Sequence, residues 1–494
     1  MKKYISLCLV LVLLLSLCAC GGEPSATAAP TTTAPAATKP APTVQVVEGE
    51  PIEQLDDVSV YIGVTGESRS LDSLPDYTYS EGGTLSYKGA KKGRYEQTTH
   101  VFNNTDAAAF IAYLNALEAD GWEQYSNNII EGVNLFATYT KGGQSLYCYY
   151  IPVKNRTLLI HSPYQNLEAR QQDNQYETVC DPQLTQIKLL CKQWPGGMSY
   201  LIRLSDGRFV MIDGGYTEND YYEARHIYEL MEQQNVLDKI TIAAWIVTHP
   251  HKDHLGATSD FLRYYTPADV EIQQFIYNFP SDEVLMTVEA ETATDTSDPS
   301  KMPTFLMALE SLWPDTPVTV CHTGQEYYFA DAKIEILHTL EDFYPQDLLM
   351  QSQDPVNGAS VVFSLEIGGQ KTMFLADSAV DCSKDLVKMW GSYLKSDIMQ
   401  ASHHGLNGGS VPLYSAIDPS VVLVPMVASY LPKILRFSHS QWIWNNESGN
   451  IQEVILSDWG ERYLTLPYAT TSDTPFFSNS TADPWGGMAS EYKK

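Results

Sequence analysis

The chain has 494 residues and a formal net charge of −29. An acidic balance of that size repels phosphate backbones and disfavours tight nucleic-acid binding, and no run of five or more basic residues offsets it. Hydrophobic content of 44% is ordinary for globular protein, the length accommodates roughly two or three domains, and the 31 Tyr would suit a glycan-facing surface.

Met1-Lys2-Lys3 is a short basic start. Ile5 to Leu17 is then almost continuously apolar, thirteen residues, too short for a comfortable membrane span. It ends in Leu17-Cys18-Ala19-Cys20-Gly21, which resembles the end of a bacterial lipoprotein signal peptide. That resemblance implies removal of residues 1–19, lipid on the Cys20 thiol, and an extracytoplasmic protein anchored to the bacterial cell membrane. An ordinary secretory signal or an uncleaved anchor is the alternative. Residues 20–48, rich in Pro, Thr and Ala, read as a disordered tether. Beyond Cys20 the remaining cysteines are Cys148, Cys180, Cys191, Cys321 and Cys382. This odd, scattered set without C-x-x-C is no disulfide framework, and only Cys180 and Cys191 are close enough in sequence to suggest a bridge.

Residues 49–165 read as a small α+β accessory domain of unassigned binding role. The spacing of Phe110, Ile111, Leu114 and Leu117 predicts a helix over 105–121, capped by Thr105 or Asp106 and ended by Gly121. Strands are expected at 127–130, 134–140, 145–153 and 157–161, with Lys141-Gly142-Gly143 as a hairpin turn. The alternation across Leu146-Tyr147-Cys148-Tyr149-Tyr150 fits a sheet with one face on that helix. Residues 165–178 form a polar linker.

A second domain is expected over 178–470, followed by a loose tail at 471–494. Short strands at 185–191, 199–204 and 208–212 lead to Asp213-Gly214-Gly215, and a helix at 220–234 follows. Ile240 to Val247 is apolar and β-branched, as in a strand buried on both faces. It delivers Thr248-His249-Pro250-His251-Lys252-Asp253-His254-Leu255-Gly256, and helical spacing resumes from Leu255 to Tyr265. Three imidazoles and a carboxylate thus fall within six positions at the carboxyl end of a strand, where open α/β sheets bind ligands. His249 and His251 alternate and can aim at one point; Asp253 and His254 can face a second point nearby. Imidazole nitrogens and carboxylate oxygens are zinc ligands, imidazole also suits iron, and two adjacent cations can clamp a water-derived nucleophile.

The pairing of Ile212-Asp213-Gly214-Gly215 with that histidine stretch resembles the metallo-β-lactamase superfamily. The resemblance implies an α/β fold, a four-layer αββα sandwich with a dinuclear site on the edge between its sheets, and an Asp213 that supports the metal loop without ligating. Downstream, Asn357-Gly358-Ala359-Ser360 reads as the start of a strand, and Met373-Phe374-Leu375-Ala376-Asp377 ends one. Asp377 resembles the superfamily's bridging aspartate, although Ala376 stands where a Gly is usual. With Ser402-His403-His404-Gly405 these segments resemble one branch, which holds the hydrolase domain of DNA-uptake competence proteins and the phosphorylcholine esterases of teichoic acids.

Carried over, the resemblance implies that His249, His251 and His403 hold one metal, that Asp253, His254 and His439 hold the other, and that Asp377 bridges. His404 is then placed to protonate a leaving group, or is itself the ligand in place of His403. His338 is the alternative to His439. Asn357 and Ser360 are supporting residues. The implied activity is hydrolysis of a phosphoester or phosphodiester of the cell envelope, small molecule or polymer, with two divalent cations. Zinc is the first choice, and manganese or iron the alternatives. A secreted nuclease and a binding lipoprotein with a structural metal site are the competing readings. No protein partner is evident.

Overall fold

Period-two alternation shapes the first part of the chain. In the computed structural model, which describes residues 52–55, 58–60, 64–65, 68–71, 74–78, 83–91, 97–130, 132–188, 196–217, 221–280, 301–343 and 355–470, seven strands form one N-terminal sheet. They are β1 (Val64–Thr65), β2 (Thr84–Lys91), β3 (Gln97–Asn103), β4 (Glu123–Ile130), β5 (Asn134–Lys141), β6 (Gln144–Ile151) and β7 (Arg156–Ser162). Their order is β1-β2-β3-β7-β6-β5-β4. Helix α1 (Ala107–Ala119) starts where the Asp106 carboxylate accepts from the Ala109 N–H at 2.8 Å. The expected signal segment, Cys20, the tether, Cys191 and the tail lie outside the described residues.

Leu146, Cys148 and Tyr150 of β6, with Phe102 and Tyr139, pack on Phe110 and Leu117 of α1. The other face carries Tyr147, Tyr149 and Ile151, with Val101, Phe136, Leu158 and Ile160, and packs into a core with the second half of the chain. The sequence pattern accounts for the helix side alone; the structure buries both faces. Gly324 marks the close approach: its φ is +95°, and a Cβ there would come within 2.8 Å of Phe136.

Two further sheets stack face to face. The first contains β8 (Gln183–Gln186), β9 (Tyr200–Arg203), β10 (Phe209–Ile212), β11 (Ile240–Ile246), β12 (Val270–Ile272), β13 (Phe275–Tyr277) and β14 (Val318–Val320). Its order is β14-β13-β11-β10-β9-β8, closed by the late strand β22 (Arg462–Thr465), with β12 beside β11. The second runs β15 (Glu326–Phe329), β16 (Ala332–His338), β17 (Val362–Ile367), β18 (Gln370–Phe374), β19 (Ile398–Gln400), β20 (Val421–Val424) and β21 (Glu453–Leu456), in that order. Tyr200, Ile202, Val210, Ile212 and Ile246 of the first sheet meet Ile334, Phe363, Leu365, Phe374 and Leu423 of the second. Leu201, Met211 and Trp245 point the other way, onto α2 (Tyr222–Gln234), α3 (Lys252–Tyr264) and α4 (Lys301–Leu312). On the outer face of the second sheet lie α5 (Val380–Trp390), α6 (Val411–Ile417) and α7 (Ser438–Trp444), sharing their core with the N-terminal sheet. The expected αββα layering is the layering observed. All described residues belong to one compact unit. No helix among them is long and apolar enough to cross a membrane.

Two local expectations are corrected. Helix α3 begins at Lys252 rather than Leu255, so Asp253 and His254 occupy its first turn, where the helix N-terminus favours the Asp253 carboxylate. Asn357 lies in a single helical turn (Pro355–Gly358), and the strand starts only at Val362.

Candidate metal centre

The strands that carry the candidate ligands end at one edge. Parallel β10 and β11 run in register, Ile212 beside Ile246, so Asp213 and the histidine loop emerge together. The Val361 N–H donates to the Thr248 carbonyl at 2.9 Å, which ties the second sheet to the same edge. Parallel β18 and β19 deliver Asp377 and the His403-His404 pair. Gln400, which the sequence does not single out, pins that junction: its Oε1 accepts from the Leu375 N–H at 2.9 Å, and its Nε2 donates to the Ala376 carbonyl at 3.1 Å. Gly214 permits close packing under the loop, since a Cβ there would lie 2.5 Å from Thr258.

His249, His254 and His404 each have one ring nitrogen held from outside the site. Asp213, fully buried, accepts from the Thr248 N–H at 2.7 Å and the Thr248 hydroxyl at 2.8 Å, and faces His254 Nδ1 at 2.6 Å. His254 Nε2 therefore turns inward, 3.2 Å from Asp377 Oδ1. Thr248 also lies 3.1 Å from His249 Nδ1, which leaves His249 Nε2 facing His251 Nδ1 at 3.1 Å. Thr248 is a second residue that the sequence does not single out; its position directly before the first histidine is the signal that was there to use. His404 Nδ1 donates to the Pro425 carbonyl at 3.1 Å. Its Nε2 lies 3.2 Å from both Asp253 Oδ2 and Asp377 Oδ2.

Asp253, His254, Asp377 and His404 each bring one ligand atom to within 4.8 Å of the others. Buried His254 Nε2, His404 Nε2 and Asp377 Oδ1 have no hydrogen-bond partner outside this group. Nitrogen and oxygen donors converging from both halves of the fold fit a divalent cation. The charges agree. Burial opposes ionisation of Asp377, but His404, His254 and His403 hold its carboxyl well below the usual range. Burial likewise opposes ionisation of Asp253, and the hydrogen bond and charge of His404 with the charge of His254 bring it down. Burial depresses His404, yet Asp377 and Asp253 raise it to about 9. His249 is pushed well below its ordinary value by burial and by His254 and His251.

The structure reverses the expected order of the histidine pair. His404, not His403, enters the group. His403 sits at the rim, with Nε2 3.8 Å from Asp377 Oδ2, Nδ1 on the Asn407 carbonyl at 3.1 Å, and the Asn357 side chain 3.4 Å away. Both residues have left-handed backbones, φ 49° and 56°, which turns the chain sharply after β19 and directs the second ring, rather than the first, inward. His439 is not brought into the group either. Its Nε2 donates to the Leu406 carbonyl at 2.7 Å, and its ring packs on Phe437 and against Tyr414. The alternative, His338, is fully buried beside Phe343, with neither nitrogen hydrogen-bonded. Ser360 is buried just before β17, and its hydroxyl has no hydrogen-bond partner. Cys180 is a free thiol.

Residues 193–414 match the metallo-beta-lactamase superfamily. No curated protein matches the chain. Similar solved structures include CmlA, a diiron beta-hydroxylase from Streptomyces venezuelae, 14% identical with a TM-score of 0.33 over 58% of this chain and 55% of that one. This chain therefore spans little more than half the length of that hydroxylase. Zn(2+)-bound PqqB from Methylobacterium extorquens is 11% identical, TM-score 0.33, over 55% of this chain and 87% of that one. A diphosphatase of the PhnP family is 12% identical, TM-score 0.27, over 49% and 85%. The candidate metal-binding group lies within the matched stretch, at the edge between the two stacked sheets.

Proposed function

We propose that this protein is a metal-dependent hydrolase of phosphoric esters of the bacterial cell envelope, held outside the membrane by lipid on Cys20. The observation that carries the hydrolase reading is the group of half-buried Asp253 with buried His254, Asp377 and His404, whose nitrogen and oxygen donors converge from both halves of the sandwich. Two divalent cations, zinc by preference for such donors, would lower the pKa of water and polarise a phosphoryl oxygen.

The remaining steps belong to the chain. Asp377 faces His254 with one oxygen and His403 and His404 with the other, so it is the residue suited to span two cations. Asp213, Thr248 and Pro425 fix the imidazoles so that their inward nitrogens carry lone pairs. His403 stands at the rim, where it can hydrogen-bond a substrate oxygen, with the buried Asn357 amide 3.4 Å from its Nε2. The phosphoester class rests on the order Asp377 then His403-His404-Gly405, which resembles the competence-protein and teichoic-acid esterase branch. The charge of −29 weighs against the nuclease of that branch.

Metal analysis combined with turnover of bis(p-nitrophenyl) phosphate tests this reading. Wild type should hold metal and turn over the ester. His404→Ala should lose both, whereas His403→Ala should keep metal and lose turnover. Full metal content without turnover would make the protein a binder. Degradation of single-stranded DNA at moderate salt would favour a nuclease, and turnover of nitrocefin a lactamase.

A further inference from the structure

A groove of about 540 Å³ lies at the end of the second sheet away from the metal centre. One wall is the segment after the N-terminal sheet, carrying Tyr176, and the other is the β15–β16 hairpin, carrying Tyr328. Strand β16 runs from this groove at Ala332 to the metal edge at His338. Six residue steps of about 3.3 Å place the groove about 20 Å from that edge along the strand.

The groove is preformed. The Asn174 side chain accepts from the Ala330 N–H at 2.9 Å and donates to the Ala330 carbonyl at 2.7 Å. The Tyr328 N–H donates to the Ala169 carbonyl at 2.8 Å. These bonds fasten the two walls together. The Tyr328 hydroxyl donates to Glu326 at 2.9 Å, which holds that ring in place. The floor is made of Ala332, Gly368 and Gly369, and the space beside Gly369 is open. Asp331 and Glu366 add carboxylates. The cation lining the groove, Lys333, is already bound to Glu326 at 2.5 Å.

The ligand class follows from these groups. Two tyrosine rings offer flat faces with an apolar body and a polar tip, and Tyr176 is 47% exposed. Carboxylates accept from hydroxyls, and a floor without large side chains leaves backbone acceptors within reach. The uncompensated acid repels anions. A volume of this size suits a ligand of about two or three sugar rings. We propose that this groove binds a neutral, hydroxyl-rich glycan, as a site separate from the metal centre. A polymer held there would be presented to the hydrolytic edge about 20 Å away, but the binding itself does not depend on the hydrolase reading.

Calorimetric titration of the full chain with chitotetraose and cellotetraose, with tetralysine as the cationic control, tests the proposal. One of the tetrasaccharides should saturate with a Kd on the order of 1 mM or below. Tyr176→Ala should weaken it at least about tenfold, with metal content and turnover of a small phosphoester unchanged. Glu366→Ala, at an exposed position, provides a second variant should the first fail to fold, and should weaken binding in the same direction. The proposal is overturned if neither sugar saturates by about 10 mM, if binding survives both substitutions, or if tetralysine binds and the sugars do not.

Discussion

Asp213→Asn tests how the metal centre is preset. In the folded chain the Asp213 carboxylate accepts from the Thr248 N–H and hydroxyl and from His254 Nδ1, at 2.7, 2.8 and 2.6 Å. An asparagine can keep the bond to the Thr248 N–H through its carbonyl oxygen. Its amide nitrogen, a donor only, then replaces the oxygen facing His254. His254 must accept at Nδ1 and carry its proton on Nε2, the atom now 3.2 Å from Asp377 Oδ1. A lone pair aimed at the metal becomes an N–H. Losing an outer partner of this kind costs about 10–100-fold in metal affinity, or about 1.4–2.7 kcal/mol. Zinc competition against a chromophoric chelator near neutral pH measures it. Asp213→Ala is the control, because it deletes more of the side chain but leaves His254 free to choose its tautomer. Asparagine should be at least as damaging as alanine. Zinc binding by Asp213→Asn within about twofold of wild type, or an alanine variant far weaker than the asparagine one, would refute the tautomer argument.

Three other outcomes follow from the packing and the charges. A chain beginning at residue 178 would uncover the partners of seven apolar side chains of the N-terminal sheet, Val101, Phe136, Tyr147, Tyr149, Ile151, Leu158 and Ile160. At about 1.5–3 kcal/mol each the loss is on the order of 10 kcal/mol, comparable with the stability of a whole domain, so that fragment should be insoluble or aggregated by size-exclusion chromatography. At the same contact Glu341 accepts from Asn278 at 2.5 Å and from Thr339, and faces His322 at 3.3 Å. Burial opposes its ionisation, but the His322 charge and those bonds hold its pKa at about 2, against an ordinary 4.5. A depressed folded-state pKa means stability fully present above the unfolded value and lost as pH falls from about 4.5 towards 2. Acid titrations of unfolding should therefore show a loss of stability across that window, and Glu341→Gln should flatten it. Metal removal with a chelator should lower the thermal midpoint, and zinc should restore it, by about 2.7 kcal/mol at a hundred times the Kd. An unmoved midpoint would mean that the buried group is not a metal site.

Chemistry written in short runs was legible from the residues. His249, His251, Asp253 and His254 lie so close in sequence that any strand-to-helix turn gathers them, and the apolar run Ile240 to Ile246 sets where that turn occurs. Strand patterns identified four of the seven strands of the N-terminal sheet, β4 to β7, and missed β1, β2 and β3, while the cap at Thr105 or Asp106 located its helix. Tertiary structure decided the rest, for three physical reasons. Which of two adjacent histidines points inward depends on backbone dihedrals at His403 and His404, and both are left-handed, a state that no residue pattern announces. Whether His439 reaches the centre depends on what else its nitrogen can bond, and the Leu406 carbonyl is nearer at hand. Alternation of apolar residues tells that a strand has one buried face, but neither what covers it nor that the other face is buried too. α1 covers one face of the N-terminal sheet, and a core more than a hundred residues downstream covers the other.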